Sequence, residues 1–508
     1  MDEKFCIIDI GSNSMRLVIY ENGKNGRLKE IENVKVVARL RNYLNKENLL
    51  TNEGQKELIN TLLTFQEITR YHSIKNSKCV ATAAIRQANN SNEIIELVEQ
   101  KTDFKMRILS GFEEAYYGFL GVVNSTPITE AVTIDIGGGS TEITYYKNRE
   151  LIHFHSFPFG VLSLKQQFMK ENVATEEEIK KLTLFLKTQL QTLPWLKNKQ
   201  APIIAIGGSA RNLVQIHHAL TSYPISGIHQ YEMRLEDIIM VKKYITSLPF
   251  EQIQKIEGLS KDRADIIFPA LQVFEILYMI VDSTSFMLSK KGLRDGIFYE
   301  EMMQNGEKLF PNIIENSIST IQSDFKIEKK QVYHVISLIN QFVEQLQEKK
   351  ITHLDVTDRN DLCLAASVYN IGRLIDEESS SLHTFYILAN RTIDGIRHRD
   401  RVKLALIASF KNKNVFKQNI KPFTKWFNSD EQKKLRLLGI ILKFIYCLNT
   451  TKREVIQKIH IGFESENKLT INLESLWNAP AEANEVEKNT KALEKALKKE
   501  ISINFITN

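Results

Sequence analysis

Cysteine is scarce in this chain of 508 residues, and the four present (Cys6, Cys79, Cys363 and Cys447) never approach the C-x-x-C spacing of zinc or redox sites. A disulfide framework and a thiolate-held metal are therefore excluded, and three of the four thiols sit in apolar runs that read as buried. Long apolar runs are missing too. None approaches the ~18 to 20 residues of a membrane span, and Met1-Asp2-Glu3-Lys4 leads straight into a strand pattern without the features of a signal peptide. The expectation is a cytoplasmic protein with no integral membrane contact. Net charge is also small: 67 Lys and Arg against 61 Asp and Glu leave +6 at pH 7, mild for the size, and no specific nucleic-acid partner is expected. With 43% hydrophobic residues the chain can build the cores of three or four domains.

What is present is one glycine-rich turn written twice. The first copy is Ile7-Ile8-Asp9-Ile10-Gly11-Ser12-Asn13-Ser14, and the second is Thr133-Ile134-Asp135-Ile136-Gly137-Gly138-Gly139-Ser140-Thr141-Glu142. Each is an apolar β-branched run, an Asp, a turn of glycine and hydroxyl residues, and a renewed apolar alternation, which reads as strand, tight hairpin, strand. Glycines in such turns can take positive φ and bring successive N–H groups close to an anion. A single copy is more often an ordinary turn. Two copies in the same order point to duplicated half-domains that grip phosphate across a shared cleft.

The two loops resemble those of the actin / sugar kinase / heat-shock chaperone superfamily. More narrowly, Ala81-Thr82-Ala83-Ala84-Ile85-Arg86, Leu109-Ser110-Gly111-Phe112-Glu113-Glu114-Ala115, Ile204-Ala205-Ile206-Gly207-Gly208-Ser209-Ala210-Arg211-Asn212-Leu213 and Gly292-Leu293-Arg294-Asp295-Gly296 resemble the exopolyphosphatase / guanosine pentaphosphate phosphohydrolase family, in family order from residue 5 to about 300. The resemblance implies an α/β fold. Two ribonuclease H-like (actin-like ATPase) subdomains, 1–124 and 125–304, would flank a cleft, followed by an all-α HD-like domain (305–455) and a small α+β cap (456–508). Periodicity agrees: strands alternate with helices as far as a strand at Ile203 to Ile206, helices alone follow to about Glu301, Asn124-Ser125-Thr126-Pro127 breaks the pattern, and Asn305-Gly306-Glu307 marks a further boundary. Strands are expected at Cys6 to Ile10, Arg16 to Tyr20, Val34 to Arg39, Lys78 to Thr82 and Met106 to Ser110 in the first half. In the helical domain, Tyr369-Asn370-Ile371-Gly372 stands where His-Asp-Ile-Gly would be expected, so both metal ligands of an HD centre are replaced. That domain reads as a scaffold for binding and dimerisation.

Phosphoanhydride hydrolysis needs charge neutralisation and a placed water. Asp135 and Glu142 flank the second loop, where both carboxylates can face the cleft and hold Mg²⁺, and Asp9 occupies the equivalent place in the first. Gly11, Ser12, Asn13, Ser14, Gly137, Gly138, Gly139, Ser140 and Thr141 are the candidate phosphate ligands. Arg86, at a strand end, can fork onto phosphate oxygens, and Gly207, Gly208 and Ser209 form another strand-to-helix turn with anion-binding N–H groups. By resemblance a glutamate of the Ser-Gly-x-Glu-Glu-Ala motif is the general base; Glu114 matches best and Glu113 is second. Arg263 and Asp265 resemble a family segment that supports the Gly207 turn, and helical packing with exposed charges explains them nearly as well.

Between Arg401 and His460 stand fourteen Lys and Arg against three acids, either a solvated helical face or a track for a polyanion. The expected activity is Mg²⁺-dependent release of terminal orthophosphate from inorganic polyphosphate. Alternatives are a guanosine pentaphosphate phosphohydrolase, a non-catalytic binder of alarmone or polyphosphate, and a sugar-kinase-like phosphotransferase. The resemblance alone implies a homodimer and a stimulating monovalent cation.

Overall fold

The repeated turn has repeated surroundings. In the computed structural model, which describes residues 4–23, 27–303 and 308–507, strands β1 (Lys4–Ile10), β2 (Met15–Gly23), β3 (Arg27–Val36), β4 (Asn76–Ala81) and β5 (Met106–Ile108) form one sheet in the order β3-β2-β1-β4-β5. A second sheet contains β6 (Glu130–Ile136), β7 (Thr141–Lys147), β8 (Glu150–Phe157), β9 (Ile203–Ile206), β10 (Glu232–Met233) and β11 (Phe286–Leu288), ordered β10-β11-β9-β6-β7-β8. In both, the first strand of the hairpin pairs antiparallel with the second and parallel with a later crossover strand. The register superimposes the two hairpins: Asp9 faces Arg16 in the first, and Asp135 faces Glu142 in the second. The expected boundary at Asn305-Gly306-Glu307 lies outside the described residues.

Contacts divide the chain into two compact units, residues 1–223 with 228–313, and residues 224–227 with 314–508. In the first, a β-branched core fills each sheet, and the helix Ile267–Val281 is buried along nearly its whole length. The helices Gly111–Val123 and Leu293–Met302 cross at backbone contact. A Cβ on Gly296 would lie 2.0 Å from the Tyr117 carbonyl oxygen, and one on Gly121 would lie 2.4 Å from that of Gly292. Gly296→Ala is therefore expected to force these helices apart and cost about 1–3 kcal/mol of stability, typical of overpacking, read as a lowered midpoint in denaturant.

Two strand expectations are revised. The segment 37–39 leaves the sheet after Val36, because Arg39 adopts a left-handed conformation (φ 45°) that turns its N–H onto the Asn13 carbonyl, 2.9 Å away. The short β10 and β11 lie in a stretch that periodicity reads as helical; two or three residues are too few to display alternation.

The second unit is helical, with a three-stranded sheet ordered β12-β13-β14 from β12 (Ile456–Ser465), β13 (Lys468–Ser475) and β14 (Glu500–Thr507). The edge of β12 is covered by glutamines of the helix Lys329–Glu348: the Ile459 and Ile461 N–H groups donate to Gln341 and Gln345 at 3.0 and 2.7 Å. Where the His-Asp pair would stand, the Tyr369 ring stacks on Tyr446 at 4.0 Å, and Asn370 takes a left-handed φ of 54° with its N–H directed to the Ala408 carbonyl. The Tyr369 ring thus serves packing, and the Asn370 backbone serves a turn. No described helix is long and apolar enough to cross a membrane.

Candidate active site

Both glycine-rich turns close with the same bond: the Gly11 N–H donates to Ser14 O at 3.2 Å and the Gly137 N–H to Ser140 O at 3.0 Å. Their glycines are not in the left-handed region expected for them. They are needed because the two loops touch. A Cβ on Gly139 would lie 2.8 Å from Ser12 Oγ, and one on Gly138 would lie 3.0 Å from Ser12 Cβ. The turns thus form one floor shared by the two sheets.

Above that floor lies a cavity of about 190 Å³. Asp9, Glu114, Asp135 and Glu142 line it together with Gly11, Ser12, Asn13, Ser14, Gly137, Gly138, Gly139, Ser140, Gly207 and Gly208. Asn13 is buried there with both side-chain amide atoms lacking a hydrogen-bond partner among the described residues. A buried amide left without a partner is costly.

Glu114 is presented by the first turn of the helix Gly111–Val123, whose start is fixed by a capping box of Ser110 and Glu113. The two adjacent glutamates are thereby separated in role. Glu113 accepts from the Ser110 N–H at 2.8 Å and from Arg107 at 2.5 Å, outside the cavity. Glu114 faces the cavity, and its Oε2 accepts from Arg86 Nη1 at 2.8 Å. Arg86 also donates to the Leu109 carbonyl at 2.9 Å and lies 3.9 Å from Glu142, so it bridges two acids at the edge of the cavity. Thr141 and Ser209 lie behind the lining. The Thr141 hydroxyl donates to the Phe159 carbonyl at 2.7 Å, and Ser209 Oγ accepts from Arg263 at 3.1 Å.

Four carboxyl groups in one buried place raise one another's proton affinity. Burial first, then the charges of Asp135 and Asp9, push Glu114 up to about 7 against the opposing pull of Arg86. Burial and the Asp9 charge push Asp135 up to about 6. Glu142, buried and beside Glu114, lies well above the ordinary carboxylate range although it accepts from Ser156 at 2.8 Å. Asp9 is raised by burial despite Arg294 at 3.1 Å.

The opposite wall is cationic, and most of it escaped the motif reading. Arg16, Arg211, Arg263, Lys290 and Arg294 all line the same cavity. Burial, and then the neighbouring guanidiniums of Arg294 and Arg211, push Arg16 down to about 10; Arg211 and Arg263 are lowered by burial first as well. Arg263 lies flat on the Gly207 turn, where a Cβ on Gly208 would come within 2.3 Å of its guanidinium. A signal was available in the chain: Arg16, Arg211 and Arg294 each follow a glycine of a candidate turn by two to five residues, within reach of the same cleft. Of these cations Arg294 is paired with Asp9, and positive charge of this density beside clustered acids suits a multiply charged anion.

No three His, Cys, Asp or Glu side chains among the described residues form a ready-made metal cage. Mg²⁺ does not require one, since it keeps several waters and takes one or two carboxylates plus substrate phosphate. Asp135 and Glu142, opposite each other across β6 and β7, fit that donor set, whereas Asp9 is engaged by Arg294.

Comparison with known proteins places both parts of the chain in one family. The model of the Ppx/GppA phosphatase family matches residues 18–305, and that of Ppx/GppA phosphatase domain III matches residues 313–493. A guanosine-5'-triphosphate,3'-diphosphate pyrophosphatase of Pseudoalteromonas translucida is 24% identical over 411 residues, 80% of each chain. The crystal structure of the Aquifex aeolicus Ppx/GppA family member is 26% identical, with a TM-score of 0.53 over 60% of this chain and 100% of that one. An exopolyphosphatase from Cytophaga hutchinsonii shares the fold at 21% identity and a TM-score of 0.55, covering 61% of this chain and 100% of the other.

Proposed function

Because the chain belongs to the Ppx/GppA phosphatase family, we propose that it is a Mg²⁺-dependent exopolyphosphatase, which removes the terminal orthophosphate of inorganic polyphosphate. The observation that carries this reading is the single cavity in which Glu114 and three further carboxylates face a wall of arginines across paired phosphate loops. Glu114 takes a proton from the attacking water. The water oxygen bonds to the terminal phosphorus, the bond to the bridging oxygen breaks, and the shortened chain leaves with the freed negative charge. Arg86 keeps the Glu114 carboxylate aimed, loop N–H groups and Asn13 hold the terminal phosphoryl, and Arg16, Arg211 and Arg263 hold the chain behind it. Mg²⁺ on Asp135 and Glu142 would supply charge neutralisation at the transferred group.

The C-terminal unit offers support for a polymer. Lys411, Lys413, Arg436 and Lys443 from the basic tract meet Lys491 and Lys495 of the helix Pro480–Leu497 around a groove of about 480 Å³, with no acid in its lining. Replacing Lys411, Lys413, Arg436 and Lys491 by Gln is expected to raise KM for long chains about tenfold and flatten its salt dependence, leaving turnover of tripolyphosphate unchanged. Steady-state kinetics at two ionic strengths checks this.

Guanosine pentaphosphate hydrolysis is the second reading, favoured by the name of the Pseudoalteromonas relative. Orthophosphate release from long-chain polyphosphate and from guanosine pentaphosphate, each with Mg²⁺ or chelator, decides between them. A higher kcat/KM for the polymer supports the first reading. Release only from the nucleotide replaces it with the second, and release from neither leaves a binding protein.

A further inference from the structure

The segment that leaves the first sheet after β3 is tied to both lobes of the cleft. Its backbone holds the first phosphate loop: the Arg39 N–H donates to Asn13 O at 2.9 Å and the Arg41 N–H to Ser12 O at 3.1 Å. Its side chains reach the second lobe. Arg39 forks onto Asp265, with Nη1 and Nη2 each 3.3 Å from a carboxylate oxygen, and Nη2 also donates to the Asp262 carbonyl at 3.0 Å. Asp262 and Asp265 flank Arg263, the guanidinium that lies on the Gly207 turn. Arg41 donates to Gln87, whose amide in turn donates to the carbonyl of Gly139 in the second phosphate loop at 3.2 Å.

Neither Arg39 nor Asp265 lines the cavity, so neither touches the reacting atoms. Arg39 nevertheless has a left-handed backbone, φ 45° and ψ 44°, which a residue with a side chain adopts at a cost. The conformation is what lets one residue bond the first loop through its N–H and the opposite lobe through its guanidinium. Lys165 at 2.9 Å from Asp265 and Lys35 at 2.8 Å from Asp262 complete the neutralisation of both acids, so the fork is electrostatically matched.

We propose that Arg39 is a positioning residue. Through Asp265 and the Asp262 carbonyl, it sets the spacing between the first phosphate loop and the Arg263-bearing segment of the other lobe, and so determines how tightly the two lobes grip a phosphate chain. The inference deepens the phosphohydrolase reading of the cleft and rests on it for its kinetic consequence; its structural consequence is independent of turnover.

The test is hydrogen–deuterium exchange on the full chain, comparing the native protein with Arg39→Ala, Arg39→Lys and Asp265→Asn. The Ala variant keeps the backbone N–H at residue 39, so any effect in the opposite lobe reports the side chain. Amides of residues 11–14 and of 261–265 are expected to exchange about tenfold faster in both Arg39→Ala and Asp265→Asn, with Arg39→Lys between, because Lys retains charge but not the fork. In kinetics on whichever substrate the native protein hydrolyses, KM should rise about tenfold with kcat within a factor of three, and Arg39→Ala/Asp265→Asn should be no worse than the more affected single variant. Faster exchange confined to residues 35–43 in one variant and 261–265 in the other, or additive kinetic losses, would overturn the proposal. If the native protein hydrolyses neither substrate, the functional reading fails while the exchange result still decides the role of Arg39.

Discussion

Replacing Glu114 by Gln is expected to lower kcat about a thousandfold, within the range that a general base contributes. The amide oxygen can still accept from Arg86, so the fold and the substrate affinity should persist. The same residue sets the direction of the pH profile. A base must be ionised to accept a proton, and burial among Asp135 and Asp9 pushes Glu114 up to about 7. In the native enzyme kcat/KM should therefore climb as pH rises through that region, with a midpoint drawn to lower pH as Mg²⁺ adds positive charge beside it. Glu114→Gln should abolish the climb. A variant that retains more than a tenth of native kcat would remove Glu114 from the chemistry, and Glu113, held in its capping box, is expected to be replaceable with a loss in stability of about 1 kcal/mol and little loss in rate.

Asp135→Asn has the second-largest expected effect: loss of Mg²⁺-dependent activity by at least a hundredfold, together with loss of the thermal stabilisation that Mg²⁺ gives the native protein. The accompanying pH dependence runs opposite to the common one for acids. Burial and the Asp9 charge raise Asp135 from 3.8 to about 6, so the folded chain binds more protons than the unfolded chain between those values. The metal-free protein consequently loses stability as pH climbs through that window, when the carboxyl is forced to ionise. Two outcomes follow: the Mg²⁺-induced rise in Tm should be larger at pH 8 than at pH 5, and metal-free Asp135→Asn should melt above the metal-free native protein at pH 8. An equal Mg²⁺ effect in the variant would place the metal elsewhere.

The duplication was legible because it is local. Strand, Asp, glycine turn and strand are contiguous in Ile7 to Ser14 and in Thr133 to Glu142, and pairing of Asp9 with Arg16 and of Asp135 with Glu142 requires only the short hairpin between them. The role of the glycines was not legible. Their constraint is the approach of Gly139 to Ser12, a contact between residues far apart in the chain, whereas the turn itself suggested backbone handedness. Arg86 shows the same limit. A guanidinium at a strand end reads as a phosphate ligand, and its ion pair with Glu114, brought to it by the helix Gly111–Val123, has no signal in the strand. The cationic wall depended on tertiary placement altogether: Arg211 and Arg294 come from two helices of the second lobe and meet Arg16 of the first only across the cleft.

The most direct test of the account is hydrolysis of long-chain polyphosphate in ¹⁸O-labelled water with Mg²⁺. Attack of a Glu114-activated water on the terminal phosphorus predicts one ¹⁸O in each orthophosphate released and none in the remaining polymer. Label in the polymer, or release of unlabelled phosphate, would contradict attack at the chain end and with it the assignment of Glu114 as the base.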